Sequence, residues 1–506
     1  MNRKVYGLLV VALLILASCA KKTEEKFADA SKIEYDQLFN ESSTAEVSRK
    51  ILATTIGSLF KIKDQYKDSL PIFPFSNSNV AIFSSYPKDA KGIPMLSYDD
   101  ENYYYPITYT RAALSNYQNF IETKDPQAKE NFLTIVQYIE EHVKDIKDFS
   151  VLTTSVLVHD YQLKGDWTSA MGQGFAIGVM IQAYHMTQEE KYLKLSQRMV
   201  RSFDYPIEEG GVQANWDGYP FYEEYADPNS HVLNGFIFSL GGLYYSYKVT
   251  GNEEARLLFE QGINSLKARI NRYDASFTSN YSKVTHNGID KFASAIGNDP
   301  DHYHELVIYQ LLTLYNWTKE EVLKEYAHKF LKYDTGNVTE YYDQNKYKAI
   351  EASHSIDSEA FGVNHLNDEL WSWGNYWSTN KVGTTLTFEF WRETKDIEGI
   401  VFYAISEDTL PTDYEVYVYD QGKWVKVCHS SEIHKKHTNY YKTDNYETFI
   451  VTNYFPTSVK GTKVKLVFNS LGSTGLITLR ECNLLFDRSH ELEMIERNTD
   501  RYLIQR

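Results

Sequence analysis

The sequence predicts an α + β multidomain protein: a mostly helical part to about residue 350, then a β-sandwich from about 355 to 490. The helical expectation rests on apolar residues that recur three and four positions apart, segment after segment, as far as Tyr333. The β expectation rests on a change of period. Past Ser355 apolar and polar residues alternate, as in Thr385-Leu386-Thr387-Phe388-Glu389-Phe390. Length agrees, because 506 residues exceed what one hydrophobic core supports.

The chain opens with the positive run Met1-Asn2-Arg3-Lys4, and Leu8 to Ala17 is continuously apolar. That run, about 10 residues, is too short for a membrane span of roughly 20 and has the form of a signal-peptide core. Leu16-Ala17-Ser18-Cys19 resembles the bacterial lipobox, which implies a signal peptide over residues 1–18 and lipidation of Cys19. A buried structural helix is the alternative. Residues 19–45 are polar and low in aromatics, as a tether is. The expected location is the bacterial cell envelope, at the outer membrane, with membrane contact through the lipid anchor alone.

Helix periodicity starts at Glu46 to Leu59. Val80 to Ser97 breaks it: Phe83, Pro87, Gly92 and Pro94 predict a small strand-and-loop insert near residues 80–105. The period returns over Thr110 to Glu122, Phe132 to Val143, Gly174 to Met186, Tyr192 to Phe203 and Val232 to Tyr247. Ala255 to Ala268, His304 to Tyr315 and Val322 to Tyr333 complete the series, and Asp125-Pro126 and Thr187 to Glu190 read as caps. In the second part Tyr414 to Tyr419 and Val464 to Phe468 alternate, Leu476 to Leu479 is a further short strand, and Asp420 to Lys423 is a turn.

A net charge of −16 argues against nucleic acid and against general electrostatic capture of an anionic polymer. An anionic substrate would need a local basic patch. Besides Cys19 the chain carries only Cys428 and Cys482, which read as two buried thiols or one bridge across a sheet, and in neither case as a disulfide framework. Nothing in the sequence sets an oligomeric state.

Two blocks carry a resemblance: GDWTSAMGQG (residues 165–174) and FYEEYADPNSHVLNGF (residues 221–236). Together they resemble the helical C-terminal catalytic domain of D-glucuronyl C5-epimerases, from about Trp167 to Tyr333, with weaker similarity around Tyr103 to Tyr117. The resemblance implies an (α/α) toroid or barrel over residues 46–350 and an isomerase that inverts uronic acid residues, D-glucuronate to L-iduronate, in an anionic polysaccharide such as a glycosaminoglycan. Known animal members place β domains before the helical domain, so a sandwich that follows it lies outside the resemblance. That sandwich, with WSWGNYWSTN, DIEGIVFY, DYEVYVYDQGKWVKV and TKVKLVFNS in order, resembles a discoidin-like or carbohydrate-binding jelly roll, a fold that either binds glycans or is purely structural.

Removing a proton alpha to a carboxylate is difficult because the intermediate gathers a second negative charge, so the site needs a base at the carbon and strong donors at the carboxylate. Epimerisation needs proton-transfer groups on both faces of the ring, and tyrosines are expected to supply both: a phenolate whose pKa falls from about 10 takes the carbon proton and a phenol on the opposite face returns one. β-Elimination by a lyase needs the same base and an acid at the C4 oxygen. The resemblance assigns Glu224 and Tyr225 to the family's catalytic Glu-Tyr, with Tyr281 and Tyr303 as further functional tyrosines. Gln173, Asn234, Lys283, His304, Trp167 and Arg272 are the candidate substrate-binding residues. One departure stands out: where the family has an arginine for the uronate carboxylate, this chain has Val284, so either Lys283, His286 or Arg272 compensates or the acceptor group differs from that of animal members. Gln173 and Asn234 are explained as well by core hydrogen bonds or caps, Glu223 by a surface position, and Gly172 and Gly174 by close approach of a helix or of substrate.

His302-x-His304 and His231 invite a metal, but zinc sites want three or four ligands and the helical part offers no cysteine. No metal and no cofactor are therefore expected, apart from a structural calcium at carboxylates such as those of Asp99 to Glu101, which no loop motif marks. Two alternatives stand beside the epimerase and the lyase. One is a glycoside hydrolase using paired carboxylates from Asp160, Asp166, Glu223, Glu224 and Asp227; the other is a non-catalytic glycan-binding surface lipoprotein.

Overall fold

The computed structural model describes residues 61–76, 79–276, 278–283, 291–292, 303–333, 347–367, 374–391, 396–442, 447–489 and 492–497. The signal segment, Cys19, the tether, the helix expected at Glu46 to Leu59, Val284, His286 and His302 lie outside these residues. Lys61–Arg506 forms one compact unit.

Eight helices follow in pairs among the described residues: α1 (Pro106–Thr123) and α2 (Pro126–His142), α3 (Ala170–Thr187) and α4 (Glu190–Arg201), α5 (Leu233–Thr250) and α6 (Glu253–Arg269), α7 (Tyr303–Thr318) and α8 (Glu321–Tyr333). α1, α3, α5 and α7 pack side by side in chain order as an inner row, and each carries its successor on the outside. The sequences explain this sorting. α3 reads AMGQGFAIGVMIQAYHMT and is buried on all sides from Ala170 to Ala183, whereas α4 reads EKYLKLSQRMVR and buries only Tyr192, Leu193, Ser196, Met199 and Val200. The Gly172 and Gly174 pair serves helix packing rather than substrate. A Cβ at 174 would meet Ser239 Cα of α5 at 2.9 Å, and one at 172 would meet Pro106 Cβ of α1 at 2.9 Å.

Each inner helix turns into its outer partner through a short link holding a left-handed residue, Lys124, Gln188, Gly251 or Lys319. Asp125 accepts from the Gln127 amide ahead of Pro126, and Asn252 caps α6 in the same manner, but Glu189 makes no side-chain cap on α4. The returns to the inner row are long and carry hairpins: β3 (Lys144–Ile146) with β4 (Phe149–Val151), β5 (Thr153–Thr154) with β6 (Trp167–Thr168), β7 (Gln213–Trp216) with β8 (Tyr219–Tyr222), and β9 (Asn280–Ser282) with β10 (Lys291–Phe292). The elaborated loops are thus gathered where the inner helices begin.

The insert before α1 is smaller than expected, a 3₁₀ turn at Val80–Phe83 and a hairpin of β1 (Leu96–Tyr98) and β2 (Glu101–Tyr103). Asp99 and Asp100 supply the hairpin's two left-handed residues, and Asp99 is paired with His159 at 2.6 Å, so these acids serve the turn.

The β part is two antiparallel five-stranded sheets. The first runs β11 (Tyr347–Ala352), β13 (Thr385–Phe390), β19 (Lys463–Phe468), β15 (Tyr414–Asp420), β16 (Lys423–His429). The second runs β12 (Trp377–Thr379), β20 (Ile477–Phe486), β14 (Ile397–Ala404), β18 (Glu447–Val459), β17 (Lys435–Lys442). Trp377, Phe388, Phe402, Val416, Leu466 and Leu484 fill the space between them. Cys428 and Cys482 are unbridged buried thiols, and burial pushes Cys428 up to about 11. β20 is longer than the Leu476 to Leu479 strand expected, and it is buried almost throughout because α8 packs near it. Lys332 of α8 pairs with Glu398, and Arg488 donates to the Leu331 carbonyl. No helix among the described residues is long and apolar enough to cross a membrane.

Candidate active site

The long-loop end of the inner row gathers aromatic side chains. Tyr105 is the N-cap of α1, Trp167 lies in β6 just before α3, Tyr225 lies in the loop before α5, and Tyr303 opens α7. Tyr281 enters from β9. The partly positive N-terminal ends of the inner helices therefore face one region, which favours negative charge there.

The loop that carries Glu224 and Tyr225 is held from within by its neighbour Glu223. One Glu223 oxygen accepts from Ser230 Oγ (2.7 Å) and the His231 amide (2.8 Å), and the other meets His231 Nδ1 at 2.5 Å. His231 in turn stacks on Trp216 at 4.2 Å, and its carbonyl accepts from the Tyr273 hydroxyl. Glu223 is fully buried, not a surface acid, and this staple commits it to the loop. Asp227 is committed as well, accepting from the amides of Gln162 and Asn229. Glu224 lies against α5 at Gly235, where a Cβ would come within 2.0 Å of Oε2. Only glycine leaves room for the carboxylate there.

Tyr225 stacks on Tyr161 (4.2 Å, 17° between planes) and packs on Trp167 at 5.8 Å, while Tyr281 and Tyr303 pair at 4.8 Å. The two pairs belong to one cluster with Val232. The phenols of Tyr105, Tyr161 and Tyr281 lie close enough to Tyr225 for their charges to act on one another. Tyr225 and Tyr303 keep part of their surface open to solvent; Tyr105, Tyr161 and Tyr281 are buried. Burial, and then the charges of Glu224 and neighbouring phenols, pushes Tyr105 and Tyr281 well above the usual phenol value. Burial does the same to Tyr225, with Tyr281 and Glu224 adding to it. These tyrosines are therefore protonated at neutral pH, the opposite of the lowered value that the phenolate base expected from the sequence requires.

Of the residues singled out from sequence, Glu224, Tyr225, Tyr281 and Tyr303 are brought together, with Trp167 as a wall whose indole donates to the Val156 carbonyl at 2.7 Å. Asn234 is buried in the first turn of α5, and its Oδ1 has no hydrogen-bond partner among the described residues. Lys283 is half-buried, with its amide donating to the Ser230 carbonyl. Three expectations need correction. Gln173 is fully buried, accepting from the Leu152 amide and donating to Ser150 O and Ser202 Oγ, so its amide ties α3 to β4 and α4. His304 accepts at Nδ1 from the Ser279 amide (3.0 Å) and meets the Phe330 carbonyl with Nε2 (3.0 Å), so one nitrogen holds the turn before Tyr281 and the other holds α8. Arg272 is half exposed and bound to Asp217 at 3.1 Å. Among the described residues no three His, Cys, Asp or Glu side chains are grouped to hold a metal ion.

Tyr105 and Tyr161 escaped the sequence reading. Tyr105 stands immediately before Pro106, a helix-opening position that could have flagged it; Tyr161 sits in a loop without a motif.

Comparison with known proteins places this site within a matched region. The family model described as D-glucuronyl C5-epimerase C-terminus matches residues 144–332. The chain is similar to the D-glucuronyl C5-epimerase of Caenorhabditis elegans, with 30% identity over 234 residues, 43% of this chain and 37% of that protein. It is also similar to an uncharacterized protein of Methanocaldococcus jannaschii, with 31% identity over 176 residues, 34% of this chain and 53% of that protein. The chain thus spans between about a third and about half of these relatives' own lengths. Solved structures with some likeness include the family 32 carbohydrate-binding module from C. perfringens NanJ in complex with galactose (13% identity, 27% of this chain, 91% of that one, TM-score 0.21). Another is the family 32 module of AlyQ in complex with 4,5-unsaturated mannuronic acid (16% identity, 28% of this chain, 95% of that one, TM-score 0.18).

Proposed function

We propose that this protein inverts C5 of uronic acid residues within a polysaccharide. The observation that carries the reading is a buried carboxylate, Glu224, set among phenols that the site keeps protonated. Glu224 takes the C5 proton, and the electron pair of the C–H bond moves into the sugar carboxylate to give an enediolate. Tyrosine hydroxyls donate hydrogen bonds to the charge as it develops. A phenol on the opposite face, Tyr303 in this reading, delivers a proton to C5, and the enediolate collapses to the inverted carboxylate. Solvent then exchanges protons with both side chains and returns the site to its first state. The inner and outer helix rows are read as an (α/α) toroid, and Cys19 as the lipid anchor that holds the enzyme at the bacterial envelope.

Pairing of carboxylates, as a hydrolase requires, is disfavoured: Glu223 and Asp227 are spent on the loop, and Asp166 is an exposed partner of Lys144. Incubation with heparosan, chondroitin, alginate and ulvan-type polymers in heavy water tests the proposal. Deuterium at C5 with no new C4–C5 double bond is the expected result. Appearance of the double bond would make the protein a lyase, and binding without exchange would make it a glycan-binding protein.

A further inference from the structure

The loop of Glu224 and Tyr225 and the strand of Tyr281 are joined at the turn Ser230-His231. Ser230 Oγ donates to Glu223 at 2.7 Å and lies 3.3 Å from the Tyr225 carbonyl. The Ser230 carbonyl accepts from the Lys283 amide at 3.0 Å, directly after β9 and its Tyr281. Val232, the next residue, is the N-cap of α5 and packs with Tyr161 and Tyr281. The turn therefore touches both halves of the tyrosine cluster.

His231 holds this turn in a conformation that its own backbone resists. Its φ is 44°, in the left-handed region that residues with a side chain seldom adopt. Such a residue persists where its surroundings over-determine it, and here they do. The His231 amide donates to one Glu223 oxygen at 2.8 Å, while Nδ1 meets the other at 2.5 Å. The His231 carbonyl accepts from the Tyr273 hydroxyl at 2.8 Å. The ring lies on Trp216 at 4.2 Å, 14° from parallel, with Phe221 at 5.1 Å. Glycine or asparagine would adopt the left-handed φ more readily. What histidine adds is the clamp: one residue grips both oxygens of Glu223 while its ring is fixed on Trp216.

We propose that His231 is a positioning residue for the reaction, locking the Glu224–Tyr225 loop to β9 and so setting Glu224 against the tyrosines that face it across the sugar. The inference rests on the proposed function. His231 acts through Glu223, whose neighbour Glu224 is confined against Gly235. Tyr303 opens α7, a separate element, so loosening the clamp moves Glu224 relative to it.

The test uses the full chain in heavy water with polymers of heparosan, chondroitin, alginate and ulvan type. It measures C5 deuterium in inverted and in retained products, together with thermal melting. His231→Gly relieves the backbone and removes the clamp; His231→Asn tolerates the left-handed φ and keeps a donor near the place of Nδ1. His231→Gly should lower inversion about 100-fold, the loss expected when a reacting group is misplaced by about 1 Å, and shift the ratio of inverted to retained exchange severalfold. His231→Asn should recover part of both. Loss of folded protein would lower both products alike, so the ratio separates positioning from stability. If His231→Gly keeps the wild-type ratio, at full rate or at a reduced one, the role of His231 is overturned while the epimerase reading stands. If wild type yields neither product, both fall together. Should His231→Gly fail to fold, Ser230→Ala decides, because it cuts the tie between Glu223 and the Tyr225 carbonyl: a shifted ratio supports the proposal and an unchanged one overturns it.

Discussion

The Glu224 carboxylate lies over Gly235, so that a Cβ on residue 235 would stand 2.0 Å from Glu224 Oε2 and 2.6 Å from Glu224 Cβ. Glu224 cannot easily retreat, because Glu223 beside it is anchored to Ser230 and His231. Gly235→Ala should therefore move the carboxylate rather than be absorbed. The expected stability cost is about 1–3 kcal/mol, as for other overpacked cores. A displacement near 1 Å of a reacting group costs on the order of 100-fold in rate. Thermal melting and C5 exchange measured together check this: a variant that melts near wild type and exchanges at full rate would show that Glu224 need not sit where it does.

Buried tyrosines predict behaviour in alkali. The folded values of Tyr105, Tyr225 and Tyr281 are raised well above the ordinary 10.0. A raised folded value means that stability is fully present below the unfolded pKa and is lost as pH rises above it, because the unfolded chain releases these protons first. Stability should hold as pH approaches 10 and decline beyond it, with phenolate absorbance of these residues appearing together with unfolding. Smooth ionisation of the site tyrosines near pH 10 in a protein that stays folded would contradict the packing described.

How much of this was legible in the sequence depends on how each residue earns its place. Helix periodicity located the helical segments from α1 to α8, and alternation located β13, β15 and β19, because those strands have one face on the core and one toward solvent. β14 and β20 escaped alternation because both of their faces are covered, so their sequences read as continuous apolar runs. In the site, the resemblance pointed to Glu224, Tyr225, Tyr281 and Tyr303, which lie close together. Gln173 and His304 show its limit. Both lie in the matched region, yet their polar atoms hold backbone, and no sequence pattern tells a polar side chain facing backbone from one facing a ligand.

The sandwich grips the turn that leads into Tyr281. Thr452 Oγ1 donates to the Ser276 carbonyl at 2.6 Å and Asn439 Nδ2 to the Ala275 carbonyl at 2.7 Å. Ser276 holds a φ of 70°, an uncommon conformation for a residue with a side chain, and Asp274 braces it through its amide. Asn439→Ala and Thr452→Val should each cost about 0.5–1.5 kcal/mol. Together they should slow catalysis by loosening β9 while substrate binding changes less. A double variant with unchanged kcat would show that the sandwich does not position Tyr281.

Separation of roles between Glu224 and Tyr303 gives the sharpest test of the proposed chemistry. Tyr303→Phe keeps the ring that pairs with Tyr281 and removes one hydroxyl, so stability should change by only about 1 kcal/mol if its hydrogen bond is ordinary. Inversion should be lost, since a phenyl ring carries no proton to deliver, while Glu224 still removes and returns the C5 proton on its own face. Deuterium would then appear at C5 with configuration retained. Glu224→Gln removes the acceptor itself and should stop exchange and inversion together. Tyr225→Phe, between Tyr161, Tyr105 and Tyr281, should retain exchange at a reduced rate, because it takes away a donor to the enediolate but neither proton carrier. The pattern is read from the products by mass and by configuration at C5. Exchange that survives in Glu224→Gln but vanishes in Tyr303→Phe would reverse the two assignments. Full inversion in both variants would return these side chains to packing and leave the epimerase reading without its machinery.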